Sequence, residues 1–482
     1  MSNLIACRSA PLPHQLMLTN LYAEREAFAY FNEQGTGKTW QAVNDFSVAY
    51  FNARVNALVV IGPSGVERNW MMKELPAHMD VALLANSHIL MWDTLKAGTK
   101  KAEQDRKRFL EPHHGPAILL MSYSAATTAL GKKFLKAVLT KFRCFYVLDE
   151  SQFVKNPGSK RTMTIVASGS YAKHKRIMTG TPMGANGPLD VYAQIKFLDD
   201  MFWKNRGIKD FQVFKAFFAD WLPMDGWSKL LCYKNLPILN EWLKEISCRV
   251  LKRDVLKDLP ERTYTRNYFD LPKEHRRVYN QLRDDLRTRL QSGETVEVLN
   301  TLVLRSKFMQ ICCGYIAVDK GEPFELIDGN LPRIESVQQW LEASTSQAII
   351  WTRFRMDVDQ YVKVLGEKNV ARYDGKLNPE ERAVQLEAFQ RGDKPYFVCN
   401  PQVGGTGLTI NEADRANVHA MRDDPIELKQ ALDRNHRPGQ HRPVSYCFTA
   451  ATDTVDEKII DTHVTNNEIS CEVLGDKVID FI

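Results

Sequence analysis

Short apolar runs bounded by polar or turn residues recur along the 482-residue chain. The first half carries them at 57–61 (ALVVI), 117–121 (AILLM), 144–148 (CFYVL) and 176–178 (RIM), and the second at 348–351 (AIIW), 396–399 (YFVC) and 444–448 (VSYCF). Runs this short, with little polar alternation, mark strands buried on both faces, as in a parallel sheet covered by helices. Helical stretches lie between them; in Pro379–Gln390, Val384, Ala388 and Phe389 can share one face. The pattern predicts βαβ units in two groups, parted by a strand-poor stretch from about 185 to 330 that reads as helical. That stretch is aromatic and basic (Phe211, Phe214, Phe217, Phe218, Trp221, Trp227, Trp242) and then strongly charged from Lys273 to Arg289. Thr454 and Glu457 have capping-box spacing, so a helix is expected to begin there.

Size adds a domain count, since a chain this long exceeds one comfortable core and two large domains are the natural expectation. With 44% hydrophobic and 25% charged residues, the composition excludes a disordered protein. Nine cysteines contain no CxxC pair, and Cys312 and Cys313 are adjacent, a poor spacing for zinc or a disulfide framework. They read as reduced thiols of a cytoplasmic protein. No apolar run is long enough for a bilayer, and residues 1–10 carry no signal-peptide core. The net charge is +6, unevenly spread: residues 101–250 hold 24 Lys/Arg against 13 Asp/Glu, a net of +11, which suits a polyanion. Residues 451–482 hold 2 against 8, a net of −6, and would repel a phosphate backbone.

The strongest local signal is Asn32-Glu33-Gln34-Gly35-Thr36-Gly37-Lys38-Thr39. A nucleotide's phosphates need backbone N–H groups gathered at a helix N-terminus, which glycines permit. Lys38 is placed to reach the β- and γ-phosphates and Thr39 to offer its hydroxyl to Mg²⁺, with Gln34, Gly35, Thr36 and Gly37 lining the loop. Asn32 replaces the first glycine of the G-x-x-x-x-G-K-T pattern; asparagine tolerates left-handed backbone, so it is expected to serve the turn. The run at 144–148 ends in Asp149-Glu150-Ser151-Gln152. Carboxylates at the C-terminal end of a buried strand lie where open α/β sheets bind ligands, with Asp149 as Mg²⁺ ligand and Glu150 orienting or deprotonating water. Taken alone, the same residues fit a helix cap equally well.

From Leu12 to about Ile460 the chain resembles the superfamily 2 helicases, specifically the Swi/Snf-type branch in a compact bacterial or bacteriophage form. Leu12-Pro13-His14-Gln15 resembles the motif whose glutamine, here Gln15, reads adenine. Gly62-Pro63-Ser64 followed by Asn69-Trp70 resembles motif Ia of that family, and Ser122-Tyr123 sits where its motif Ib contacts the nucleic-acid backbone. Asp149-Glu150-Ser151-Gln152 stands at the Walker B position, with Gln152 where relatives usually carry histidine, and Val154-Lys155-Asn156-Pro157 follows it. Thr179-Gly180-Thr181-Pro182 resembles the segment coupling hydrolysis to lobe movement. In the second half the resemblance rests on Tyr373-Asp374-Gly375, Arg382, Gly404-Gly405-Thr406-Gly407-Leu408 and the string Gln430 to Gln440, which places Arg434 and Arg437 at two arginine positions.

The resemblance implies an α/β fold of two RecA-like parallel-sheet lobes in tandem: 1–250 for ATP binding, with an aromatic, basic helical segment near 200–250, and 251–482 beginning with a helical segment to about 330. It implies a catalytic set of Lys38, Asp149, Glu150, Gln152, Arg434 and Arg437. Gly407 joins the ATP-binding set, Thr179, Gly180 and Thr181 couple, and Thr39 and Asp149 hold Mg²⁺. Expected nucleic-acid contacts are Pro63, Ser122, Tyr123, Lys155, Asn156, Arg353, Gly405 and Thr406. The basic segments Lys100-Lys101 and Arg106-Lys107-Arg108 fit either a contact or a solvated face. Trp70, Trp351 and Phe354 offer rings for base stacking, with core packing favoured for Trp351, which ends an apolar run. The implied activity is that of a monomeric ATP-dependent DNA helicase or translocase remodelling branched DNA in replication, recombination or repair, working beside other proteins of those processes. Duplex translocation that strips proteins, RNA unwinding and a non-catalytic binding scaffold are the alternatives.

Overall fold

The computed structural model describes residues 6–224, 227–291, 298–317, 324–404, 408–422 and 424–476. They form two units, residues 6–257 with 468–476, and residues 258–467. Each unit is organised around one parallel sheet.

In the first, β1 (Ala27–Tyr30), β2 (Ala57–Gly62), β3 (His88–Met91), β4 (Ala117–Ser122), β5 (Cys144–Asp149) and β6 (His174–Met178) lie side by side. An antiparallel hairpin, β7 (Ala219–Met224) and β8 (Trp227–Tyr233), follows, and the two-residue β9 (Ser247–Cys248) completes the sheet. The strand order is β3-β4-β2-β5-β6-β1-β9, and every pairing in it is parallel. The central strands are fully buried, as their continuous apolar runs require.

The second unit contains β10 (Arg262–Phe269), a small antiparallel pair β11 (Tyr315–Ala317) and β12 (Phe324–Leu326), then β13 (Ala348–Trp351), β14 (Val370–Tyr373), β15 (Tyr396–Cys399), β16 (Arg415–Val418) and β17 (Val444–Ala451). Its sheet runs β10-β17-β16-β13-β15-β14, again wholly parallel. Trp351 is fully buried in this core, as the end of an apolar run predicts.

The stretch expected to be strand-poor and helical is neither throughout, since β7 to β12 all fall in it. The reason is visible in β10, an edge strand whose residues are exposed or half-buried, so it never forms an apolar run. Polar content hid β16 as well. Its Arg415 stacks 4.8 Å from the Trp340 ring and donates to the carbonyls of Trp340 (3.2 Å) and Leu341 (2.9 Å), while Asn417 pairs with Thr449 at 3.0 Å. The helix Pro379–Gln390 has the expected bounds, but Val384 is 61% exposed and Phe389 carries the buried face. The C-terminal helix Val455–Leu474 begins where expected; Asp456, not Glu457, turns back, accepting from the Ala451 N–H at 3.0 Å.

Two polar clusters sit inside these cores. In the first unit Arg176 and Asp45, both fully buried, meet at 2.8 Å, and Asp45 also accepts from the Tyr30 hydroxyl at 2.7 Å. Arg176 further donates to the carbonyls of Tyr22 and Ala23 at 3.2 Å each, tying the end of the first helix to β6. Removing one partner of such a pair strands a buried charge. Asp45→Ala should therefore lose about 3–5 kcal/mol, read as a lowered urea midpoint at constant m. In the second unit Asp357 accepts from Tyr315 (2.9 Å) and Thr352, beside His419, whose Nδ1 meets the Tyr361 hydroxyl at 2.7 Å. All nine thiols are free. Among the described residues no helix is long and apolar enough to cross a membrane.

Candidate nucleotide site

In a parallel sheet the loops leaving the C-terminal strand ends share one edge, the usual place for ligands. The first sheet delivers five sequence-marked segments there, ordered across it as Ser122 ending β4, Gly62-Pro63-Ser64 at the end of β2, Asp149-Glu150 at the end of β5, Thr179-Gly180-Thr181 after β6 and the Lys38 loop after β1.

The Lys38 loop runs from β1 into the helix α2 (Lys38–Phe51), so its N–H groups open a helix N-terminus. Gly35 (φ +78°) and Gly37 (φ +80°) take the left-handed turns. Asn32 does not, contrary to expectation; it is buried, and its amide oxygen accepts from the Cys248 thiol at 3.5 Å. Lys38 Nζ donates to the carbonyls of Asn32 (2.9 Å) and Glu33 (3.0 Å), which holds it folded over the loop. The preceding helix α1 (Pro13–Tyr22) clamps the other side. Gln15 donates to the Gly37 carbonyl at 3.2 Å and accepts from Leu12 N–H at 2.7 Å, and His14 Nε2 meets the Thr36 carbonyl at 2.8 Å. A Cβ on Gly37 would stand 2.1 Å from Gln15 Nε2, so this loop requires glycine for close approach as well as for its φ.

Across β6 lies the carboxylate pair. Glu150 is held at φ +51°, a conformation costing a non-glycine residue about 1–3 kcal/mol and typical of functional positions. Neither carboxylate caps the short helix Ser151–Val154 that follows. Gln152 donates to Glu150 Oε2 at 2.8 Å, while its buried Oε1 has no partner. Burial, then the neighbouring Glu150 charge, push Asp149 up to about 7. Two residues outside the expected catalytic set hold Asp149: Trp70 Nε1 donates to its Oδ2 at 2.9 Å, and the Tyr123 hydroxyl donates to its carbonyl at 3.0 Å. Trp70 opens a single π-helical turn (Trp70–Glu74), a device common at functional sites.

Between these groups, Thr179 N–H donates to the Tyr30 carbonyl at 3.1 Å and Thr181 N–H to Thr179 Oγ1 at 3.0 Å. A Cβ on Gly180 would meet Gln34 Oε1 at 2.4 Å, so this loop packs directly on the Lys38 loop. Thr181 Oγ1 and Gln34 Nε2 are buried without partners. Buried polar atoms left unsatisfied on facing loops suit a polar ligand that completes them.

Of the residues expected to touch nucleic acid, several are buried. Ser122 is buried and caps the helix Tyr123–Thr127 through Ala125 N–H, Tyr123 is buried against Phe153, and Pro63 is buried. Trp70 is enclosed and unable to stack on a base. Asn156 is exposed, and Lys155 approaches Asp190 at 3.9 Å. Arg106 turns inward onto Trp92 and the Ala97 carbonyl, while Lys100, Lys101, Lys107 and Arg108 face solvent.

In the second unit Arg353 lies over Phe354, which packs into the core. Gly405, Thr406 and Gly407 fall outside the described residues. Arg434 is buried and donates to the Leu408 carbonyl at 3.4 Å. Arg437 is gripped by Asp433, through Nε to the carbonyl (2.9 Å) and NH2 to the carboxylate (2.9 Å). Gln440 spends its amide N–H groups on the carbonyls of Asn411, Ala413 and Asn435, which fixes the loop below both arginines.

The donor set fits Mg²⁺. Thr39 would supply a hydroxyl and Asp149 a carboxylate, hard oxygen ligands of the type this ion takes. Asp149 and Glu150 also place two carboxylates in one half-buried corner, where added positive charge is favourable. When bound, the ion would neutralise charge on the phosphates.

A glycine-turned phosphate loop facing a carboxylate pair on a parallel sheet defines a P-loop nucleotide-binding protein. The SNF2-related domain model matches residues 18–315, and the helicase conserved C-terminal domain model matches 331–439. The chain belongs to the SNF2-related family. It is similar to an uncharacterized ATP-dependent helicase of Mycoplasma genitalium (23% identity, 93% of this chain and 40% of that protein). It is also similar to the SWI/SNF-related matrix-associated actin-dependent regulator of chromatin subfamily A member 1 of Mus musculus (28% identity, 68% of this chain and 31% of that protein). The chain thus spans less than half the length of these curated relatives. Among solved structures it is similar to the Sulfolobus solfataricus SWI2/SNF2 ATPase core in complex with dsDNA (20% identity, 99% of both chains, TM-score 0.43).

Trp70 offers a test confined to the first unit. Trp70→Phe keeps most of the packing but deletes the donor to Asp149. A hydrogen bond to a charged group is worth about 1.5–3 kcal/mol, so kcat for ATP hydrolysis should fall roughly tenfold or more and the melting temperature should drop by several degrees.

Proposed function

We propose that this chain is a nucleic-acid-dependent ATPase that translocates on DNA, with remodelling of forked or branched DNA as its activity. The observation that carries the ATPase reading is the Lys38 loop, turned by two left-handed glycines into the start of α2, across β6 from Asp149 and Glu150. Lys38 binds the β- and γ-phosphates, Glu150 orients the attacking water, and Gln152 holds Glu150 in place. Arg434 and Arg437 supply positive charge where it develops on the γ-phosphoryl oxygens in the transition state. The +11 balance of residues 101–250 and the names of the relatives support a nucleic-acid partner, gripped through phosphates with little regard for sequence.

The test is phosphate release by the full chain with no nucleic acid, single-stranded DNA, duplex, fork, four-way junction and RNA. Stimulation by DNA above RNA, greatest on forks or junctions, is the expected result. No stimulation by any of them would overturn the motor reading, and preference for RNA would reassign the substrate. Strand products absent from forks and junctions would leave a duplex translocase.

A further inference from the structure

The last residues of the C-terminal helix belong to the first unit, where they meet the edge strand that flanks the Lys38 loop. Val473 is buried in that unit's core, and its carbonyl accepts from Asn240 Nδ2 at 2.7 Å. The helix then stops on Gly475 (φ +72°), with Asp476 N–H donating to the Cys471 carbonyl at 2.9 Å and Gly475 N–H to that of Glu472 at 3.4 Å. This is a Schellman stop, a rigid turn that fixes where Asp476 sits. Its carboxylate grips Arg249, at 3.1 Å from Nε and 3.0 Å from NH2, with the two side chains only 9% and 16% exposed.

Arg249 follows β9, and the chain around it is laced to the Lys38 loop: Phe31 N–H donates to the Cys248 carbonyl (3.0 Å) and Glu33 N–H to that of Val250 (2.9 Å). The guanidinium's remaining nitrogen, NH1, donates to the carbonyls of Phe31 and of Gly180, the latter at 3.2 Å. One planar group thus spans the strand end that enters the phosphate loop and the loop carrying Thr179 and Thr181. Its donors run in fixed directions, so orienting it at one end orients both carbonyls at the other.

We propose that Arg249, aimed by Asp476, is a positioning residue for ATP hydrolysis, joining the stop of the C-terminal helix to the Lys38 and Thr179-Gly180-Thr181 loops. This rests on the ATPase reading above. Loosening the pair frees Gly180 and Phe31 to drift, which degrades the arrangement of the reacting groups more than nucleotide binding.

A charge swap separates positioning from simple stapling. Arg249→Asp combined with Asp476→Arg restores an ion pair, but an aspartate at 249 cannot donate to the two carbonyls. In the full chain, Asp476→Asn should lower kcat roughly tenfold with KM for ATP nearly unchanged. The double reversal should recover the melting temperature lost in Arg249→Asp while kcat stays low. Amide hydrogen exchange over residues 30–38 and 179–181, measured without nucleotide, should quicken in Asp476→Asn and remain fast in the double reversal. Recovery of both kcat and slow exchange in the double reversal would reduce the pair to a staple and overturn the proposal, as would unchanged exchange in Asp476→Asn. Because exchange is read without turnover, a wild-type chain that failed to hydrolyse ATP would sink the ATPase reading and leave this one to be judged by exchange.

Discussion

Lys38→Ala should abolish nucleic-acid-stimulated phosphate release while leaving the fold in place. The ammonium is held in the loop by two carbonyls, 2.9 and 3.0 Å away, and contributes to no apolar core. Its loss therefore removes charge without opening a cavity, and the melting temperature should move little. Charge stabilisation aimed at a transition state is worth about 10²–10³ in kcat for a single well-placed donor. A lysine that also binds the ground state should weaken ATP binding as well, so KM should rise while kcat falls. Arginine is no substitute: its planar fork replaces a compact ammonium, and Lys38→Arg should remain impaired. Steady-state hydrolysis across ATP concentrations, paired with thermal melts, checks both statements. Undiminished phosphate release in Lys38→Ala would place the chemistry elsewhere.

The sequence exposed the parts of this protein where one residue type does one physical job. Continuous apolar runs located seven strands because buried parallel strands have no polar face to interrupt them. The Gly35-x-Gly37-Lys38 spacing located the phosphate loop because only glycine takes those φ values with Gln15 packed against the backbone. It hid the parts that depend on partners distant in the chain. β16 carries Arg415 and Asn417 inside the core, satisfied by carbonyls and by Thr449, which no local pattern reveals. Trp70 looked like a base-stacking ring because an aromatic in isolation says nothing about its N–H, which is spent on Asp149, 79 positions away. Asn32 was expected to turn the chain and instead anchors it, because Cys248 lies beside it across 216 positions. Ser122 and Tyr123 lie at the sheet edge where the motif predicts them, yet their side chains face inward. Motifs fix where a segment sits more firmly than which way its side chains point.

That distinction governs the second large effect, at Arg434 and Arg437. Both side chains are engaged in the second unit, Arg434 with the Leu408 carbonyl and Arg437 with Asp433. An arginine serving the γ-phosphoryl group is worth roughly 10³–10⁵ in rate, since its charge matters most where phosphoryl charge is redistributed. Arg434→Ala and Arg437→Ala should each lower kcat by about that order, with ATP affinity changed far less than in Lys38→Ala, because their contribution appears mainly in the transition state. Their stability costs should differ. Arg434 is 3% exposed, so its removal leaves a cavity and should cost about 2–5 kcal/mol. Arg437 is 20% exposed, but its partner Asp433, four residues earlier, is buried, so deleting the guanidinium removes the cation paired with a buried carboxylate and should cost about 1–3 kcal/mol. Arg437→Lys, which keeps a positive charge beside Asp433, is therefore the cleaner probe, and it should still lose activity because a lysine cannot present two donors in one plane. Loosening the clamp on Arg437 separates two roles for Asp433. If Asp433 holds the guanidinium back, Asp433→Asn should raise basal hydrolysis; if it aims the guanidinium, the same change should lower the stimulated rate. Equal hydrolysis by wild type, Arg434→Ala and Arg437→Ala would show that neither arginine touches the chemistry, and would leave Lys38, Asp149, Glu150 and Gln152 as the catalytic set.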